Sequence, residues 1–139
     1  MELLDTSALI VSWRRPELLE WLRRALTDGE VAICDPVALE YLRGARNASE
    51  FTIYEQTLRS LPWLSVLPAD WDRAVEVSRA MSFVAGGYQR SVGIPDLLIA
   101  ATAERHGVAV VHYDADYDRI AGVTGQATRW IVPAGSVEA

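Results

Sequence analysis

The stretch PDLLIAATAERHGVAVVHYDAD, residues 95–116, reads as a helix, a stop, a strand and a pair of acids. Pro95 to His106 is predicted helical: proline suits the first turn of a helix, and Gly107 suits the position just past the last. Val108 to Val111 is a short unbroken apolar run, the pattern of a strand buried on both faces. Asp114 and Asp116 follow directly. A helix feeding a doubly buried strand predicts part of an alternating β/α chain with a parallel sheet.

The flanking sequence extends that alternation. Glu2 to Leu4 is a predicted strand ending at Asp5, and Ser7 to Val11 a short helix. Pro16 to Leu26 is a firm helix, with Leu18, Leu19, Leu22, Ala25 and Leu26 at helical spacing. Asp28-Gly29 turns the chain into a second strand, Glu30 to Ile33. Asp35-Pro36 opens a helix to about Arg43, with Asp35 read as its N-cap and Gly44 as its stop. Further helices are expected over Ala48 to Ser60 and Trp71 to Val84, with a short strand from Trp63 to Leu67 between them. Asp116 to Ile120 reads as a brief helical turn and Arg129 to Val132 as a last strand. The expected architecture is α/β: a three-layer α/β/α sandwich around a mostly parallel sheet, one domain over residues 1–139. In such sheets ligands bind beyond the carboxyl ends of the strands.

Composition removes several chemistries. The 139 residues carry a net charge of −6 and no lysine; all 13 basic residues are arginine. Phosphate loops and Schiff bases that need a lysine are therefore excluded. A phosphatase with Asp5 as nucleophile is disfavoured, since Ser7 stands where its second aspartate belongs. A receiver-type phosphoacceptor domain lacks its lysine. Cys34 is the only cysteine, so no intrachain disulfide can form, and its apolar setting suits packing. No apolar run approaches the roughly 20 residues that span a bilayer. With Glu2 in place of a basic start, a cytosolic, soluble protein is expected.

Acidic residues from four separate stretches point to one edge of this sheet. Asp5 follows the first strand, and Asp114 and Asp116 follow the strand at Val108 to Val111. Asp96 sits in the first turn of its helix, where it could simply complement the helix dipole. Glu40 lies inside the helix opened by Asp35-Pro36. Asp5 is hardest to explain structurally, because a carboxylate beside Leu4 and Ala8 is costly unless paired. Converging carboxylates cannot all stay ionised without a cation, and a hard ion such as Mg²⁺ or Mn²⁺ resolves the conflict. Zinc lacks a ligand set among Cys34, His106 and His112. A calcium loop at Asp114, Asp116 and Asp118 fails, with Arg119 in place of its glycine and Gly125 in place of its closing glutamate. Two readings remain: an enzyme built on a divalent-metal site, or a binding module whose acidic crevice docks a partner's arginine. Trp13, Trp21, Leu22 and Trp63 are candidates for that partner's groove.

The same segments resemble the PIN-domain family, in particular the VapC-type toxins of toxin–antitoxin pairs. The resemblance rests on Leu4-Asp5-Thr6-Ser7-Ala8-Leu9, on Glu40 within Leu39 to Gly44, on Asp96 within Ile94 to Ala103, and on Asp114 and Asp116 within Val111 to Tyr117. It implies a Mg²⁺-dependent endoribonuclease held inactive by a cognate antitoxin, and a homodimer. Asp5, Glu40, Asp96 and Asp114 would be its catalytic quartet. Asp5, Asp96, Asp114 and Asp116 would hold the metal, with Mn²⁺ as a substitute. His112 departs from the family, which often has threonine or serine there. Thr6 or Ser7 would orient a carboxylate or phosphate. Arg43, Arg46, Arg90 and Arg119 are unranked candidates for gripping RNA.

Overall fold

Leu3, Leu4, Val110 and Val111 are fully buried and lie side by side, Leu3 opposite Val110 and Leu4 opposite Val111. These two central strands carry apolar side chains on both faces, as parallel strands covered by helices must. The computed structural model describes residues 1–137. Its elements run β1 (Glu2–Leu4), α1 (Thr6–Arg14), α2 (Pro16–Thr27), β2 (Val31–Ala32), α3 (Asp35–Leu42) and α4 (Ala48–Arg59). Then come α5 (Pro68–Ser82), a 3₁₀ turn (Tyr88–Arg90), α6 (Ile94–His106), β3 (Ala109–His112), α7 (Asp116–Thr124) and β4 (Thr128–Trp130). The sheet order is β2-β1-β3-β4, with every pairing parallel. This is the expected three-layer α/β sandwich.

After β1 the chain crosses to β2 on one side; after β3 it crosses to β4 on the other. The strand order therefore reverses between β1 and β3, and their carboxyl ends diverge around a crevice. Right-handed crossovers place α1 and α2 on one face of the sheet and α5, α6 and α7 on the other. The packing agrees: α1 lies on α2, while α6 contacts β1, β3, α5 and α7. α6 is buried continuously from Leu97 to Ala103, which is the composition of a central helix rather than an amphipathic one. Gly107 ends it at φ 66, a left-handed conformation that glycine adopts without strain.

Four expectations need correction. Asp35 is the first residue of α3 and not its N-cap, which is Cys34. Its carboxylate instead accepts from Trp63 Nε1 at 2.9 Å and Val66 N at 2.6 Å, pinning the later chain to the start of α3. Trp63 to Leu67 forms one isolated parallel bridge, Ile33 to Trp63, because Asp35 rather than a strand takes the next amide. The helix expected from Trp71 begins at Pro68, a residue with φ preset for a first turn. The brief turn at Asp116 is a full helix to Thr124, closed by Gly125 at φ 71.

Candidate metal centre

β1 delivers Asp5 to the crevice. Asp5 also caps α1, its Oδ2 accepting from Ser7 N at 3.0 Å and from the Ser7 hydroxyl. The Ser7 Oγ in turn accepts from Tyr113 N at 2.8 Å. One serine thus ties the end of β1 to the end of β3. Of the two candidates Thr6 and Ser7, Ser7 orients the carboxylate, while Thr6 Oγ1 is buried without a hydrogen-bond partner.

β3 delivers Asp114. Its Oδ1 accepts from Asp116 N at 2.9 Å, an Asx turn that opens α7. Asp114 N donates to His112 Nδ1 at 3.2 Å. That bond leaves the ring proton on Nε2, and burial pushes the imidazole below its usual pKa, so His112 is neutral. Its ring is fully buried between Tyr117, at 4.9 Å, and Trp130, at 5.0 Å. His112 is therefore an acceptor under the Asp114 turn.

α6 contributes Asp96 from its first turn. Asp96, Asp114 and Asp116 each place a carboxylate oxygen within 4.8 Å of the others. Asp5 is not a member of that trio but is linked to it. Tyr117, fully buried on α7, donates to Asp5 Oδ1 at 2.7 Å and lies 3.4 Å from Asp96 Oδ1. Sequence reasoning did not single out Tyr117; an aromatic following an acid in a short helix carries no signal of its own. Glu40 stands off on α3. Its half-buried carboxyl is pushed up by burial and then by Asp5, while Thr6 and Arg43 draw it down. Thr6 lowers the Glu40 carboxyl as a hydrogen-bond donor, although its hydroxyl falls outside ordinary hydrogen-bond geometry.

The electrostatics join all five acids. Asp96 is raised to about 7, first by burial and then by Asp5, Asp114, Asp116 and Glu40. Every other acid in the cluster thus acts on this one group. The nearest cation bonded to the cluster is Arg119, which pairs with Asp116. An all-oxygen donor set in which neighbouring acids disfavour the Asp96 charge fits a hard divalent ion such as Mg²⁺ or Mn²⁺. The Cys34 thiol is buried and pushed up to about 12, chiefly by burial, so it is an inert core group.

The proposed partner groove is only partly present. Leu22 is buried in the core, and Trp63 is half-buried with its indole N–H on Asp35. Trp13 is 47% exposed and lines a cavity of about 270 Å³ with Ile10, Tyr41, Tyr54 and Glu40. Among the described residues no helix is long and apolar enough to cross a membrane.

Comparison with known proteins accords with this geometry. A PIN-domain family model matches residues 3–123. The chain is 43% identical over 136 residues to Ribonuclease VapC18 of Mycobacterium tuberculosis, covering 96% of both. It is 40% identical to Ribonuclease VapC51 of the same organism, covering 98% of this chain and 96% of that one. Among solved structures, VapBC2 from Rickettsia felis bound to a DNA fragment aligns with a TM-score of 0.68 over 93% of this chain and 98% of its own, at 16% identity. FitAcB from Neisseria gonorrhoeae aligns at 0.66 over 94% and 97%, at 21% identity. A match spanning most of the chain, carried by relatives above 30% identity and by a shared fold, establishes that this chain belongs to the PIN-domain family, in its VapC branch.

Proposed function

We propose that this chain is a Mg²⁺-dependent endoribonuclease acting in the cytoplasm as the toxin of a toxin–antitoxin pair. The observation that carries the reading is Asp96. A half-buried carboxyl raised to about 7 by four other acids is poised for a divalent cation. The family resemblance directs that chemistry toward RNA, as the names of its relatives suggest.

In this reading Asp96, Asp114 and Asp116 hold the ion, and Asp5 supports it through Tyr117. A bound Mg²⁺ supplies Lewis-acid neutralisation of the scissile phosphate and lowers the pKa of water. Ser7 and Tyr117 fix both oxygens of Asp5, so that carboxylate cannot rotate. Glu40, with its raised pKa, takes a proton from the attacking water. Water attacks phosphorus in line, the P–O3′ bond breaks, the departing 3′ oxygen takes a proton from solvent, and the products carry a 5′-phosphate and a 3′-hydroxyl. No ribose hydroxyl acts as nucleophile.

The partners follow the same reading. An antitoxin segment packs against Trp13, Tyr41 and Tyr54 and reaches Glu40, which shares their cavity. A second copy covers Leu39, Trp71 and Ile94, which are 64%, 55% and 65% exposed around a neighbouring cavity of about 460 Å³. The deciding experiment incubates the purified chain, free of partner, with total RNA in Mg²⁺, Mn²⁺ or chelator and maps the cut ends. Cleavage that needs the ion and leaves 5′-phosphates is expected. Ends bearing 2′,3′-cyclic phosphate reject the mechanism, and no cleavage with either ion rejects the activity.

A further inference from the structure

The acidic cluster that suits a cation also repels RNA, in a chain whose net charge is −6. A nuclease with this site needs a cation placed to receive the polyanion. Four arginines near the acidic motifs are candidates, and the structure separates them. Arg46 is spent on Glu50 in an exposed ion pair. Arg43 faces Glu40 and the cavity of Leu39 and Trp71. Arg90 is exposed in the 3₁₀ turn. Arg119 alone of the four pairs with a member of the tight trio, its Nη1 donating to Asp116 Oδ1.

Arg119 is held from a second side. Its guanidinium lies 5.4 Å from the centre of the Tyr88 ring, a cation–π contact that fixes the plane of the fork. The side chain is still 40% exposed. Its described hydrogen bond uses Nη1 only, so Nε and Nη2 remain available as donors. Behind it lies a cavity of about 280 Å³ lined by Val84, Tyr88, Asp118, Arg119, Gly122 and Val123. An aromatic ring, a braced guanidinium and valine walls beside the acidic cluster form the combination that binds single-stranded nucleic acid, and the Asp118 carboxylate that also lines the cavity is engaged by the Trp130 indole.

We propose that Arg119 and Tyr88 form a nucleotide subsite beside the acidic cluster. Arg119 grips a phosphate next to the scissile one, and the attached base enters the Tyr88 cavity. The inference rests on the ribonuclease reading. Asp116 then has two tasks: its carboxylate serves the cluster and aims Arg119. Bracing by Asp116 and Tyr88 lowers the ordering cost of the fork on binding.

The test measures binding of a fluorescein-labelled single-stranded oligoribonucleotide to an Asp5→Asn chain in Mg²⁺, across a salt series. Arg119→Gln should weaken binding about tenfold and reduce the salt slope by about one charge. Arg119→Lys should restore the slope but only part of the affinity, since it keeps the charge and loses the fork. Tyr88→Leu should weaken binding about tenfold with the slope unchanged, while Tyr88→Phe binds like the parent. Tyr88 is half-buried and packs against the core, so binding is compared well below every variant's melting midpoint, and Arg119→Gln and Tyr88→Phe should melt like the parent. If the parent binds RNA and Arg119→Gln binds with the same affinity and slope, the subsite is wrong while the ribonuclease reading stands. If the unsubstituted chain neither binds nor cleaves RNA in Mg²⁺, both fall together.

Discussion

Asp70 and Asp96 occupy the same place in consecutive helices that pack against each other. Each is the third residue of its helix, next to or near a proline. Their surroundings are opposite. Asp70 is 1% exposed and completely partnered. It accepts from Arg105 Nε at 2.9 Å and Nη2 at 3.0 Å, from Leu67 N at 2.8 Å and from the Thr102 hydroxyl at 3.3 Å. Burial pushes its carboxyl up, but those donors outweigh it and hold the pKa below the ordinary value. Asp96 has one long contact, to Tyr117, and four acidic neighbours, and is raised to about 7. The same residue at the same helical position is architecture where its charge is answered and a candidate reactive site where it is not.

The largest effects test that division directly. Asp96→Asn should lower RNA cleavage about 10³-fold or more, because the ligand set for the ion is broken. Its unfolding midpoint in chelator should stay level or rise, since a source of repulsion is gone. Asp70→Asn should do the reverse, leaving cleavage within a few-fold and lowering stability by about 2–3 kcal/mol. That figure sits under the usual cost of breaking a buried pair because Arg105, 29% exposed, can return to water. Paired denaturant melts and cleavage rates read both variants. A stability loss at Asp96 matching that at Asp70 would erase the distinction.

Acid separates the two regions again. Asp96 has its folded pKa raised from 3.8 to about 7, so the folded chain binds this proton more tightly than the unfolded chain. Its stabilising contribution is complete below about pH 4 and is lost as pH rises to about 7. Asp70 is lowered, so its contribution is present above its unfolded value and lost as pH falls through the folded one, below about pH 4. In chelator the melting midpoint should therefore decline from pH 4 to 7, and Asp96→Asn should flatten that limb. Asp70→Asn should blunt only the acid limb.

A smaller effect is expected at Tyr117, which connects Asp5 to Asp96. Tyr117→Phe keeps the buried ring and removes the hydroxyl. Asp5 Oδ1 then loses its 2.7 Å donor, costing about 1.5–3 kcal/mol in the metal-free chain. Mn²⁺ should recover most of that loss by answering the same charge. Thermal melts with and without Mn²⁺ measure the recovery. An equal loss in both conditions would make Tyr117 a core residue with no link to the cluster.

What the sequence revealed follows a physical boundary. β1, β3 and α6 were legible because their signals are local: short apolar runs, a proline at the start and a glycine at the end. The acids were legible because each stands beside such a signal. Tyr117 was not, because its meaning lies in a bond to a residue 112 positions away. Asp35 was misread for the same reason: its sequence suggests a cap, but its oxygens are taken from 28 and 31 residues downstream. Nothing local distinguishes Asp70 from Asp96 either. Arg105, 35 residues on, decides it.

The finest test concerns His112, where a hydrogen bond of ordinary strength must be separated from the bulk of a buried ring. Any replacement loses the packing against Tyr117 and Trp130, so a lone alanine variant would report mostly a cavity. Asparagine and glutamine divide the two roles. The asparagine oxygen reaches the position of Nδ1, the acceptor for Asp114 N. The glutamine head extends instead toward the position of Nε2, which is buried without a partner. Both variants lose the ring, so that cost is largely common to both, and the difference between them isolates the turn beneath Asp114. His112→Asn should bind Mn²⁺ more tightly than His112→Gln by about 1 kcal/mol, the net worth of one such bond. Equal Mn²⁺ affinities would reduce His112 to core packing. Tighter binding by the glutamine variant would show that the ring serves the cluster through its other nitrogen.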